Sequence, residues 1–180
     1  NTSDSLFGRT EATGGFSVAE GTLNLTGRMA NDITVASGAT LAGTGFQDVG
    51  NTTIGDGATL SAGDARNAAP SIGTLTLNNL TLGATASTIF DLGAPSIDTV
   101  APINDLIVVS GNLDLGGSTL NFNTLSGFTA GTYRLMTYGG ALAGTANLGL
   151  LPVGFIYTLN TAGGNVDLEV ELIDFYWDGN

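Results

Sequence analysis

The sequence predicts an all-β chain wound as a parallel β-helix, and three observations predict it. Short runs of alternating apolar and polar residues recur along most of the chain, each too short to bury its own apolar face. Glycine corners recur at matching places: Gly21, Gly38 and Gly57 are 17 and 19 residues apart, and Leu41 and Leu60 are again 19 apart. The surface helix formers Lys, Gln and Glu are nearly missing, whereas the abundant Gly, Thr, Ser and Asn suit corners and solvated strand faces.

Taken in order, Asn1 to Gly15 are polar with little periodicity and read as an incomplete edge. From Phe16 the segments FSVAEGTLNL, ITVASGATLAG and TTIGDGATLSAG share one plan: an alternating pair, a polar residue, Gly, and a second alternating pair. A period near 20 residues with strand-like content is that of a solenoid in which each coil covers its neighbour. The rival is an antiparallel sandwich of hairpins, because Ser-Gly, Asp-Gly and Gly-Gly also make tight hairpin turns. Recurrence of one corner at one place favours the stack, which needs it, over the sandwich, which does not. Inward positions are then Val18, Leu23, Leu25, Ile33, Val35, Leu41, Ile54 and Leu60, and outward ones Thr22, Asn24, Thr34, Thr40 and Thr59. With neighbouring coils about 4.7–4.9 Å apart, some eight coils would make a rod of roughly 40 Å.

SAGDARNAAPS, Ser61 to Ser71, reads as a loop leaving the stack. GTLTLNNLTLGATASTIFDLG restarts it with Leu75, Leu77, Leu80, Leu82, Ile89, Phe90 and Leu92 as the apolar set. APSIDTVAP, with Pro95 and Pro102, is a second loop. The stretch around which the chain is organised follows: NDLIVVSGNLDLGGSTLNF packs three strands with almost nothing between them. Leu106 and Val108, Leu113 and Leu115, then Leu120 and Phe122 are its expected inward pairs, with Ser110-Gly111 and Gly116-Gly117 as corners.

After Phe122 aromatic residues arrive. GTYRLMTYGG reads as a strand with Tyr133 and Leu135 on one face and Arg134, Met136 and Tyr138 on the other. LPVGFIYTLNTAGGNVDLEVEL reads as an antiparallel hairpin around Ala-Gly-Gly, whose second arm turns Val166, Leu168, Val170 and Leu172 inward and Asp167, Glu169 and Glu171 outward. This is a cap, since a solenoid must close its open end and a row of carboxylates there discourages a further strand. FYWDGN departs from the alternation and reads as the opening of a further module.

Composition narrows the function. The 180 residues carry sixteen carboxylates, no Lys and four arginines (Arg9, Arg28, Arg66 and Arg134), for a formal net charge of -12. Nucleic acid and anionic lipid are poor partners for such a surface. The absence of Cys and His removes disulfides, Cys/His zinc sites and His-dependent nucleophile triads. No signal segment opens the chain, and LGLLPVGFIY is too short and interrupted to cross a bilayer, so an export signal or anchor would lie outside these residues. Asp167, Glu169 and Glu171 are carboxylates on one strand face and could in principle ligate Ca²⁺; a solvated charged face explains them more simply. Asp56 and Asp64 fall short of a calcium repeat, and corners account for them. Asp91, Asp98, Asp105 and Asp114 are spread out with no Lys or His to act as base, so no catalytic residue, metal or cofactor is assigned. The acceptor-like Asn24, Asn51 and Asn79 tripeptides are matched by chance in a chain this rich in Asn and Thr. Trp177 and the cap aromatics are read as core filling, and Arg134 as the partner of a neighbouring carboxylate.

The run from about Gly73 to Leu172 resembles the autochaperone segment at the C-terminal end of autotransporter (type V secreted) passenger domains. The residues that carry the resemblance are NDLIVVSGNLDLGGSTLNF, the Gly131-Thr132-Tyr133-Arg134-Leu135 strand ending in Tyr138-Gly139-Gly140, and the Leu151-Pro152 turn. ITVASGATLAG and TTIGDGATLSAG are similar to the passenger-associated β-strand repeats of the same proteins. The resemblance implies a right-handed parallel β-helix, export across the outer membrane of a Gram-negative bacterium to the cell surface or beyond, and a folding role for this segment. Its implied partners are the upstream passenger coils and a translocator β-barrel outside this chain, with a host-cell surface or extracellular matrix as possible target. The expected organisation is coils over 1–72, an autochaperone-like end and cap over 73–173, and a following module or linker from 174. Expected fold-nucleating and cap residues are Asp105, Leu106, Val108, Gly111, Leu113, Leu115, Leu120, Phe122, Gly131, Tyr133, Leu135, Tyr138, Gly139, Phe155 and Tyr157. An adhesive passenger face and, further off, a carbohydrate-active β-helix enzyme are the alternatives. FYWDGN departs from the simplest family layout, in which a linker and the barrel come next.

Overall fold

A computed structural model of the chain describes residues 14–64 and 71–174. Among these residues nineteen strands and no helix wind into six coils of a parallel β-helix. The first coil is β1 (Phe16–Val18), β2 (Thr22–Leu25) and β3 (Arg28–Met29), and the second β4 (Ile33–Val35), β5 (Thr40–Gly43) and β6 (Phe46–Gln47). The third is β7 (Asn51–Ile54), β8 (Thr59–Ala62) and β9 (Thr74–Leu77), and the fourth β10 (Asn79–Leu82), β11 (Ser87–Leu92) and β12 (Leu106–Val109). The fifth is β13 (Leu113–Asp114), β14 (Thr119–Thr124) and β15 (Gly131–Tyr138). The sixth has β16 (Leu142–Ala143) and β17 (Asn147–Leu148), then the hairpin β18 (Phe155–Asn160) and β19 (Asn165–Leu172).

Every third strand joins the same wall. The first sheet is β1-β4-β7-β10-β13-β16 and the second β2-β5-β8-β11-β14-β17, both parallel throughout. The third runs β3-β6-β9-β12-β15 in parallel and then adds β19 and β18 antiparallel. The stretch Asn104 to Phe122 therefore visits all three walls once.

Exact register turns like residues into columns along the axis. Leu23, Leu41, Leu60, Thr88, Leu120 and Leu148 form one, and Phe16, Ile33, Thr52, Leu80, Leu113 and Leu142 another. Packing them against one another gives a continuous apolar interior, which each short strand could not make alone. Thr52 is tolerated inside because its hydroxyl donates to Gln47 Oε1 at 2.9 Å, while Gln47 Nε2 donates to the Asn31 carbonyl at 2.7 Å. At one corner side chains hand hydrogen bonds up the stack: Asn51 N–H to Asp32 Oδ1, Asn79 Nδ2 to Asn51 Oδ1, Asn112 N–H to Asn79 Oδ1, and Ala141 N–H to Asn112 Oδ1. A Cβ at Gly111 would be driven into Asn79 Oδ1, so the Ser110-Gly111 corner has a steric cause. The corner glycines Gly21, Gly38 and Gly57 share positive φ of 74°, 78° and 71°.

The parallel stack, the loop over 94–102 and the hairpin around Ala162-Gly163-Gly164 follow the sequence reading, residues 65–70 of the other expected loop lie outside the described residues, and several details differ. Six coils replace the eight expected, because the two loops and the hairpin consume residues that a bare period would assign to coils. Ile89 faces outward and half-buried while Thr88 faces in, since register on Leu60 and Leu120 sets the phase of β11. In β12 the core residues are Ile107 and Val109; Val108 faces outward and Leu106 is buried outside the core cluster. Met136 is buried beside Leu135 because a bulge between Arg134 and Met136 inserts one residue against β19 and reverses the alternation. Leu172 is 63% exposed at the tip of β19, and Asn24 is buried on the outer face, bonded to Asp64 at 2.5 Å. Ser61 belongs to β8, and Phe175, Tyr176 and Trp177 lie outside the described residues.

The phase of β11 can be checked directly. Phe90→Ala should cost about 3–5 kcal/mol in urea unfolding, having lost a fully buried ring, and Ile89→Ala less than about 1 kcal/mol. Equal losses would place both side chains in the core.

Candidate functional site: the antiparallel end and the carboxylate junction

Of the expected cap residues, Gly131, Tyr133, Leu135, Tyr138, Phe155 and Tyr157 lie on the strands where the third sheet changes direction. β15 pairs with β12 in parallel on one side, through Ile107↔Met136 and Val109↔Tyr138, and with β19 antiparallel on the other, through Tyr133↔Leu168 and Gly131↔Val170. Val166, Leu168 and Val170 are thereby buried. Arg134 and Asp167 lie opposite each other and pair through two hydrogen bonds of 2.9 Å. The hydrogen bonds to Asp167 raise the Arg134 pKa against the opposing effect of burial. Glu169 accepts from Asn160 Nδ2 at 2.9 Å, leaving Glu171 as the exposed member of the acidic row.

Aromatic rings fill the space beneath this junction. Phe128 stacks on Tyr133 at 5.1 Å and meets the Phe155 edge at 5.9 Å, and Phe155 lies 6.1 Å from Tyr157. Among the described residues each tyrosine hydroxyl is tied to a loop carbonyl. Tyr133 donates to Thr129 O at 2.8 Å and accepts from Thr129 N–H at 2.9 Å, Tyr138 donates to Thr161 O at 2.7 Å, and Tyr157 donates to Pro152 O at 2.8 Å. Burial raises the Tyr133 and Tyr157 pKa values, so both stay neutral donors. Phe122 stacks on Phe90 at 6.1 Å, and Leu113, Leu115 and Leu120 are core residues of the same end. Gly139 is exposed, and a Cβ there would strike the Ser110 carbonyl one coil away. A Cβ at Gly131, with φ of 145°, would meet the Pro95 ring.

A second cluster lies at the corner between the second and third sheets, where the loops after β8 and β11 rejoin the stack. Of the four scattered carboxylates, Asp91 and Asp105 are brought together there. Asp105 Oδ2 accepts the Asp91 N–H at 2.9 Å, and the Asp105 N–H donates to the Asp91 carbonyl at 3.0 Å. Asn104 secures the same corner, accepting from Gly93 N–H at 2.6 Å and donating to Ala94 O at 2.9 Å. Asp98 instead caps its own loop, where the N–H groups of Val100 and Ala101 lower its pKa, and Asp114 accepts from Gly116 N–H at 3.0 Å. Asp91 also lines a groove of about 430 Å³ over the outer face of the second sheet, with Thr22, Thr40, Thr59, Ser61, Asp64 and Asn123. Sequence reasoning singled out Asp105 as a fold-nucleating residue but did not bring it to Asp91, because the loop between them leaves their approach open. The available signal was that Asn104-Asp105 directly abuts four consecutive apolar residues.

With the carboxylates of Asp91 and Asp105 occupied by backbone N–H groups and the Asn123 amide, the geometry is that of a fastening. No group of three or more potential metal-ligating carboxylates occurs among the described residues. No protein-family model matches the chain. Over 112 residues, 60% of its length, it is 37% identical to adhesin BmaC autotransporter of Brucella suis biovar 1 (strain 1330). Part of this chain is similar to an autotransporter adhesin. The chain spans 3% of that protein's length.

The aromatic end carries a measurable share of stability. Tyr133→Phe keeps the ring stack but strands Thr129 N–H and O, and should lower the unfolding free energy by about 1–3 kcal/mol in denaturant titration. An unchanged midpoint would show that water replaces the hydroxyl without cost.

Proposed function

We propose that this chain is a non-enzymatic segment of a surface-exposed or secreted autotransporter passenger, whose C-terminal part closes the β-helix and templates its folding during export across the outer membrane. The observation that carries the reading is the antiparallel β15–β19–β18 end, where the parallel ladder of the third sheet stops on a packed aromatic cluster. Similarity to an autotransporter adhesin supports the export setting. Parallel stacking depends on non-local pairing and nucleates slowly, so a passenger gains from an end that forms first and offers upstream coils a finished strand edge. The partners in this reading are the upstream coils and a translocator barrel outside these residues.

An adhesive role for the same coils is the second reading. The name of the similar protein favours it, as does the open groove on the second sheet.

Deleting residues 155–172 from the full-length protein tests the first reading. Upstream coils should become protease-sensitive and surface-exposed passenger should fall severalfold, while a passenger as resistant and abundant as wild type would overturn the template role. Replacing Thr40 and Thr59 in the groove by Arg tests the second, which predicts lost cell attachment with passenger abundance unchanged.

A further inference from the structure

The third sheet ends on a strand with one open side. β18 pairs with β19 over six residues, and among the described residues nothing pairs with its other edge. Ile173 N–H donates to the Gly154 carbonyl at 3.2 Å, so Gly154 and Ile173 are a hydrogen-bonded pair of this antiparallel ladder. Alternation then turns the backbone groups of Ile156, Thr158 and Asn160 toward β19 and leaves the N–H and C=O groups of Phe155, Tyr157 and Leu159 pointing off the edge. Sheet edges are commonly blunted by Lys, Pro, a bulge or brevity. Phe155–Asn160 carries no charge and no Pro, and its six residues pair without a register shift. The first and second sheets, by contrast, end on two-residue strands. The carboxylate row expected to guard this end sits on β19, one strand in from the edge.

The outer face beside this edge selects for positive charge. Ile156 is 53% exposed and lies directly across from Glu171. Arg134 holds Asp167 and the Asn160 amide holds Glu169, leaving Glu171 as the exposed carboxylate of the row. A strand laid along β18 sets one residue opposite Ile156, about 10 Å from Glu171 at two strand spacings, within reach of a Lys or Arg stem lying over the Ile156 side chain. Val153 and Leu172 extend the exposed apolar surface at the start of β18.

We propose that the free edge of β18 is a docking site for an extended, Lys- or Arg-bearing segment of another protein, which adds a strand to the third sheet and sets a cation over Ile156 against Glu171. Main-chain hydrogen bonds to Phe155, Tyr157 and Leu159 supply affinity, and the cation supplies the choice of partner. The formal charge of -12 favours the approach of such a segment. A second copy of this chain fits worse. Paired antiparallel, it sets Ile156, Thr158 or Asn160 opposite Ile156, none of them cationic, and it brings a second charge of -12. The site lies on the far side of the hairpin from the parallel ladder and does not depend on the template role.

Amide hydrogen exchange of the intact chain, alone and with a capped eight-residue peptide of alternating Lys and Val, tests the site. With peptide at about ten times its Kd, exchange at Phe155, Tyr157 and Leu159 should slow by about tenfold, while Ile156, Thr158 and Asn160, already bonded to β19, change little. Ile156→Lys answers Glu171 from within the chain and repels the incoming cation, so it should weaken binding severalfold. Glu171→Gln should weaken it about two- to fivefold. Unchanged exchange at the three edge amides of the wild-type chain overturns the proposal. Equal binding of a peptide of alternating Glu and Val also overturns it, as does a dimer of the chain whose formation protects the same three amides.

Discussion

Every strand of the parallel ladders, β1 to β17, must meet its hydrogen-bonding partner one coil away, in register and pointing the same way. That constraint fixes where residues can be added. Aligned positions in the second sheet step from Leu23 to Leu41, Leu60, Thr88, Leu120 and Leu148, so the early coils are tight and the later ones longer. The walls absorb only part of the increase, with β11 and β14 at six residues and β15 at eight. The insertions after β8 and β11 leave from the same corner between the second and third sheets in successive coils, where a chain can bulge outward without breaking a ladder.

Corners consequently carry the polar chemistry of the fold. A parallel strand ends with backbone groups that its own coil does not satisfy, and burying them unpaired would be costly. Two solutions appear. At the compact corner Asp32, Asn51, Asn79 and Asn112 pass hydrogen bonds from coil to coil with side chains of one length. At the loop corner the spans are irregular, and the carboxylates of Asp91 and Asp105 collect N–H groups from Ser71, Gly73 and Asp91. A carboxylate presents two oxygens to two separate segments, which an amide cannot do; the accompanying cost is a charge removed from water.

The stack was legible in the sequence wherever one coil follows another with few extra residues, because the repeated corner glycine and the Leu41–Leu60 spacing expose the period. It was hardest to read where apolar residues run together. LIVV in β12 and Ile89-Phe90 in β11 fit either phase of a period-two pattern, and only the neighbouring coils, through Leu75 and Leu60, choose between them. Met136 is a different case: a one-residue bulge leaves no mark in local composition, yet it turns over everything after it. Of the candidate site, the tyrosines and the Arg134–Asp167 pairing were foreseeable from strand position. The Asp91–Asp105 meeting was not, since it joins residues on either side of a loop whose path the sequence leaves open.

Strand length gives the stack a direction. Across the first three coils no strand exceeds four residues, whereas β11, β14 and β18 have six and β15 and β19 eight. Longer strands make more ladder hydrogen bonds per loop closed, so the C-terminal coils gain pairing sooner relative to the entropy they lose. Closure is nonetheless uneven. The hairpin terminates the third sheet, while the first and second end on the two-residue strands β16 and β17, and Leu142 and Leu148 are only partly buried there. The most extensive pairing lies on the antiparallel side, with six registered pairs between β15 and β19 against three between β15 and β12, so the hairpin rather than the upstream ladder anchors this end.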